Sequence, residues 1–168
     1  SFAPTQLMDD TFLKDDLENT FLRNDFRYVH IASHGQFSGD AASTFVLTYD
    51  DYLTLDDLEN LIRPSSYRGA PVELLTLSAC QTAAGDDKAA LGLAGVAIKA
   101  GARAALASLW FVSDQASALM VDEFYRALAK PGTSKAQALK HAQTVLRNDP
   151  RFRHPRYWAP YIMIGNWL

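Results

Sequence analysis

Two rhythms of apolar residues run along this chain. From Asp9 to Leu22, the residues Phe12, Leu13, Leu17, Phe21 and Leu22 recur at helical spacing behind several acids. That pattern predicts a helix whose first turn carries favourable negative charge. Thr5–Met8 ahead of it reads as a short strand or the end of one. Tyr28–Ala32 is a compact β-rich run stopped by Ser33-His34-Gly35, and Phe45–Tyr49 is a second strand. Asp50-Asp51 makes a turn, and Tyr52–Thr54 returns as a hairpin arm. Thr54 is placed to cap a helix through Leu61, with Asp57 three residues on as its acidic partner, before Pro64 and Gly69 break the chain.

The second half changes texture. Val72–Ser78 is almost continuously apolar, as a central parallel strand buried on both faces should be. Ala89–Ala100 is a helix of small residues that can approach a sheet closely, although its glycines weaken it. Ala104–Leu109 is another buried strand. Ser113 or Asp114 opens a helix to Ala129, Pro131-Gly132 closes it, and Ser134 caps the next. Pro150 and Pro155 mark a loop before a closing strand, Tyr161–Ile164. No internal repeat or low-complexity tract is present. Strands joined through helices predict an α/β fold, a three-layer sandwich with a mainly parallel sheet and helices on both faces. In such sheets functional residues collect at the carboxyl ends of the strands.

Composition narrows the function classes. At 168 residues and 48% hydrophobic content, the chain suits one domain spanning 1–168. Its net charge is -3, from 16 basic and 19 acidic residues without a basic stripe, so the electrostatic footprint of a nucleic-acid binder is absent. No run of about 18 apolar residues predicts a membrane span, and Ser1–Thr5 lacks the charged and apolar regions of a signal peptide. The single cysteine, Cys80, can form no internal disulfide, which favours a cytoplasmic reading. No cysteine cluster suggests a zinc site, and neither a metal nor another cofactor is expected.

By base rate a lone cysteine is a small buried hydrophobe. The surroundings of Cys80 reverse that reading. His34 follows the strand ending near Ala32, and Cys80 follows the strand ending near Ser78. Neighbouring strands lie about 4.8 Å apart, so both side chains can meet at one sheet edge. The chemistry needs both residue types. A free thiol has a pKa of about 8.5, and a nearby imidazole can take its proton, then pass it to a leaving amine. Gly35 and Cys80 can each offer a backbone N–H to a developing oxyanion.

The remaining polar and aromatic residues have blander readings. His30 is structural within its strand, while His141 and His154 are surface residues. Trp110, Trp158 and Trp167 are packing residues. Asp114 is a helix cap, and Gly92 and Gly95 belong to a helix rather than a phosphate loop. Asp9, Asp10, Asp15, Asp16 and Glu18 form a solvated acidic face.

Ala32-Ser33-His34-Gly35, followed by Ser78-Ala79-Cys80-Gln81-Thr82 with 46 positions from His to Cys, resembles the CHAT family, a bacterial branch of the caspase-like clan of cysteine peptidases. The ordered series Ala90–Gly95, Ala100–Arg103, Ser108-Leu109-Trp110, Asp114 and Tyr157–Gly165 extends the likeness from about residue 9 to the C-terminus. The resemblance implies a caspase-like fold and cleavage of a protein or peptide substrate. It makes His34 the general base and acid, Cys80 the nucleophile, and Gly35 with the Cys80 amide the oxyanion donors. It also implies a further strand before Thr5 and a larger upstream region, often of tetratricopeptide repeats. The chain is then the C-terminal part of a longer protein. Some clan members carry Asp two residues before the nucleophile to receive a basic side chain. Ser78 stands there, so a basic preference is not supported, and Asp86 and Asp87 read as a solvated turn. Two other readings compete: a non-catalytic interaction module on the same fold, and a flavodoxin-like ligand-binding or signalling domain, which leaves the His-Cys pairing unexplained.

Overall fold

The computed structural model describes residues 4–36, 44–78, 95 and 97–168. Its seven described strands are β1 (Tyr28–Ile31), β2 (Gly35–Gln36), β3 (Phe45–Leu47), β4 (Tyr52–Thr54), β5 (Leu74–Leu77), β6 (Ala104–Ser108) and β7 (Tyr161–Gly165). The longer helices are α1 (Lys14–Arg23), α2 (Leu55–Tyr67), α3 (Asp114–Leu128) and α4 (Lys135–Asn148). The helix expected over Ala89–Ala100 lies largely outside the described residues, and Gly95 and residues 97–99 are helical.

The strands form two sheets. The larger has the order β1-β5-β6-β7, with β1, β5 and β6 parallel and β7 antiparallel to β6. The smaller, β2-β3-β4, is antiparallel throughout. Alternation along the large sheet divides its side chains between two cores. Val29, Ile31, Leu75, Leu77 and Ala105 pack with Leu17 and Phe21 of α1 and Leu58, Leu61 and Ile62 of α2. Leu74, Ala104 and Leu106 pack with Met120 and Phe124 of α3 and Leu139 and Leu146 of α4. Helices on both faces of a mainly parallel sheet are the expected architecture. The buried runs of β5 and β6 follow from that double cover.

Tertiary contacts move several element boundaries. The first helix starts at Lys14 rather than Asp9. A 3-10 turn occupies Asp9–Thr11, and the chain extends at Leu13. There the Tyr49 N–H donates to the Phe12 carbonyl at 2.9 Å, and the Lys14 N–H to Asp50 at 3.1 Å. These bonds tie the segment to the β3–β4 turn instead of to a helical ladder. Thr5–Met8 forms no strand. The predicted capping box of α2 is present, the Thr54 hydroxyl accepting from the Asp57 N–H and the Asp57 carboxylate from the Thr54 N–H. Pro64, however, does not end that helix, which runs on to Tyr67. Burial of Ile62 and Ser65 holds the extra turn against the sheet. Asn60, whose carbonyl loses its usual donor at Pro64, is exposed and can be hydrated.

The chain closes through β7. Gly165 has φ +91°, and a Cβ there would sit 2.4 Å from the Arg103 carbonyl oxygen. The close approach lets the Asn166 N–H donate to that oxygen at 2.7 Å. Buried Lys135 then donates to the carbonyls of Asn166 and Leu168, both at 2.9 Å.

Candidate functional site

The carboxyl ends of β1 and β5 meet at one edge of the large sheet. Tyr28 stands opposite Leu74 and Ile31 opposite Leu77, an offset of 46 residues. The pairing continues one residue further, because the Ser78 N–H donates to the Ile31 carbonyl at 2.9 Å. Cys80 lies outside the described residues, as do Asp86, Asp87 and Gly92. The separation of His34 and Cys80 in sequence, 46 positions, equals the register offset of the two strands that lead to them.

His34 occupies a short link between the two sheets, since β1 ends at Ile31 and β2 begins at Gly35. Its side chain is exposed, while its backbone is held. The Leu47 N–H donates to the His34 carbonyl at 2.7 Å, and the Ser33 hydroxyl donates to the Leu47 carbonyl at 2.6 Å. The next pair along, Gly35 opposite Val46, is therefore the non-hydrogen-bonded pair of that antiparallel ladder. The Gly35 N–H accordingly points away from β3. A two-residue strand at Gly35 was not foreseen, because the Ser-His-Gly sequence reads as a strand stop.

A second polar group at this edge escaped the sequence reading. His30 Nε2 lies 2.8 Å from Ser78 Oγ. The His30 ring centroid is 5.7 Å from that of Tyr125 on α3, and the Tyr125 hydroxyl is 2.8 Å from Thr76 Oγ1. His30 and Thr76 are register partners. The residue as a whole is exposed, yet its ring lies against Tyr125 and Ser78. Burial on that side pushes the imidazole below its ordinary value of 6.5. Burial likewise pushes the Tyr125 phenol up to about 12, against the opposite pull of the Thr76 hydrogen bond. Both groups are thus held neutral near pH 7. The signal for this group was legible in principle: His30 lies in the first apolar run, and Thr76 and Ser78 alternate along the Val72–Ser78 run, spaced to share a face.

The other candidates sort simply. His141 is exposed and 3.0 Å from Glu123, and His154 Nδ1 accepts from the Arg156 N–H. The helix-capping position before α3 is Ser113 rather than Asp114, and its side chain makes no capping bond. The tryptophans are not uniformly packed: Trp158 joins the core on the α3–α4 side, whereas Trp110 is 40% and Trp167 55% exposed. Trp110 owes its orientation to an indole N–H bond to the Arg156 carbonyl, not to burial. The acidic residues Asp9, Asp10, Asp15, Asp16 and Glu18 are exposed as expected. Among the described residues no cluster of three or more His, Cys, Asp or Glu could hold a metal ion, and no helix is long and apolar enough to cross a membrane.

The double-covered parallel sheet, with a hairpin sheet attached at its carboxyl edge, defines a caspase-like α/β domain. The sequence matches the CHAT domain over residues 4–166, and the chain belongs to that family. Tetratricopeptide repeat protein 28 of Homo sapiens is 33% identical over 98 residues, covering 57% of this chain and 4% of that protein. Its Mus musculus counterpart is 34% identical over 97 residues, covering 56% and 4%. The chain thus spans a small fraction of the length of these relatives. Both are mammalian, so likeness to this chain is not confined to bacterial proteins.

Proposed function

We propose that the domain is a cysteine endopeptidase in which His34 and Cys80 form the catalytic dyad. The observation that carries this reading is the equality between the β1–β5 register offset and the His34–Cys80 spacing. Positions that follow paired parallel strands at the same offset are the ones this topology can bring to one sheet edge.

In this reading, His34 takes the Cys80 thiol proton, and the thiolate attacks the carbonyl carbon of the scissile peptide. The carbonyl electron pair moves onto oxygen, where the outward-facing Gly35 N–H and the Cys80 N–H receive it. The tetrahedral species collapses as the C–N bond breaks, and the imidazolium returns its proton to the leaving amine. Water, deprotonated by His34, then hydrolyses the thioester. The sequence of steps needs no cofactor.

A thiol-directed peptide probe on the purified domain tests the dyad. Labelling at Cys80 should fall about 100-fold or more in His34→Ala, the usual contribution of a positioned acid–base group. Labelling indifferent to that substitution would reject the pair.

A second reading is a non-catalytic module working with a repeat region. What favours it is the name of the mammalian relatives, which identifies them as tetratricopeptide repeat proteins. Here the chain is the C-terminal part of a longer protein, and the repeats bind the partner. Full cellular activity of Cys80→Ala in the intact protein would decide for this module.

A further inference from the structure

We propose that His30 is a positioning residue. Through Ser78 it fixes the carboxyl end of β5, where the chain runs on to Cys80. The inference deepens the peptidase reading and rests on it.

The backbone ladder between β1 and β5 supplies its last described bond at Ser78, whose N–H donates to Ile31. On its other side β5 pairs with β6 as far as Leu77, opposite Ala107, so Ser78 lies just past the last described pair. The 2.8 Å contact between His30 Nε2 and Ser78 Oγ adds a second tie to the same residue, made by a side chain of the neighbouring strand. His30 is itself fixed from below. Tyr125 of α3 packs against its ring, and the Tyr125 hydroxyl is joined to Thr76, the residue directly across from His30. The tie therefore runs from a helix through the edge strand to the end of β5.

Packing of the ring against Tyr125 does not by itself require a nitrogen aimed at Ser78. Strand β1 is an edge of the described sheet, and His30 is on its exposed alternation, with Val29 and Ile31 filling the core. Strands favour β-branched and aromatic residues, most of which carry no such nitrogen. The feature His30 adds is a polar atom aimed at Ser78. Catalytic geometry is sensitive to such supports, because a displacement of about 1 Å can cost on the order of 100-fold in rate. Cys80 follows Ser78 by two residues in the sequence.

The test measures probe labelling of Cys80, and kcat and KM on a cleavable peptide, in the wild type, His30→Ala, His30→Gln, Ser78→Ala and the double variant His30→Ala/Ser78→Ala. The alanine variants should each lose about 10-fold in kcat with KM changed by less than about 2-fold, the pattern of a group that orients rather than binds. His30→Gln, whose amide can reach the site of Nε2, should recover most of the loss. The double variant should be no worse than either single one, because both remove the same contact. Thermal melts check that each variant is folded. If His30→Ala does not fold, Ser78→Ala and His30→Gln still decide. Wild-type kcat in Ser78→Ala, or additive losses in the double variant, would overturn the tether. The peptidase reading fails separately, when His34→Ala also labels like the wild type.

Discussion

The two sheets of this domain are built by different rules. In the four-stranded sheet, β5 and β6 are buried at every position, because helices cover both faces. In the three-stranded sheet, burial alternates: Val46 and Leu53 point inward, while Tyr52 and Thr54 face out. The first is a rigid slab whose register is set by side chains on two sides. The second is a half-covered ribbon held by local bonds and one apolar face. His34 sits in the link between them. The difference teaches how such a site is divided: the slab sets which strand ends come together, and the ribbon sets how the histidine backbone is held.

The sharpest challenge to this contrast is to damage the slab. Phe124 is fully buried against it from α3, so Phe124→Ala should cost about 3–5 kcal/mol. Urea unfolding should show one cooperative transition at a lower midpoint. A loss below about 1 kcal/mol would mean that this face is not the organising core.

The ribbon should respond locally. Ser33→Ala removes the hydroxyl bond to the Leu47 carbonyl, at a cost of about 1 kcal/mol. Hydrogen exchange should quicken at the β2 and β3 amides while β5 and β6 keep their protection. Equal acceleration in both sheets would erase the proposed division.

The gentlest probe is acid. Lys14 bonds to the Tyr52 carbonyl and to Asp57, and its backbone N–H bonds to Asp50, tying α1 to the ribbon. Burial pushes the Asp57 carboxyl up. Hydrogen bonds from Lys14 and from the Thr54 hydroxyl and amide, with the Lys14 charge, outweigh that and hold it below its ordinary 3.8. The bond from the Lys14 amide likewise lowers Asp50 from 3.8. A carboxyl held low stabilises the fold above its unfolded value. That contribution is lost as pH falls from 3.8 through the folded value. Between about pH 5 and pH 3, ribbon amides should therefore lose protection before slab amides, and Asp57→Asn should flatten the dependence. These groups are partly exposed, so a small shift is expected, weaker at high salt.

Much of this was readable along the chain because local chemistry and tertiary structure agree. Thr54 and Asp57 form the predicted cap, Ser134 and Gln137 form another, and the apolar runs at β5 and β6 are central strands. The reading failed where a distant contact outbid a local preference. Residues 9–13 follow helical periodicity, yet bonds to Tyr49 and Asp50 draw the chain straight at their end. Pro64 should stop a helix, yet Ile62 and Ser65 are buried against the sheet and carry it on. Trp110 has the composition of a core residue, yet a backbone carbonyl holds it at the surface.

By itself the sequence determined the fold class, most of the described strands and helices, and the family. Those depend on periodicity, capping and ordered motifs that each lie within a few residues. Only the tertiary structure decided that β1 and β5 are neighbours in register, that the Gly35 N–H faces away from its ladder, and that His30 reaches Ser78. Pairing of strands 46 residues apart is settled by which apolar faces two layers of helices can bury together. No short stretch of chain contains that information.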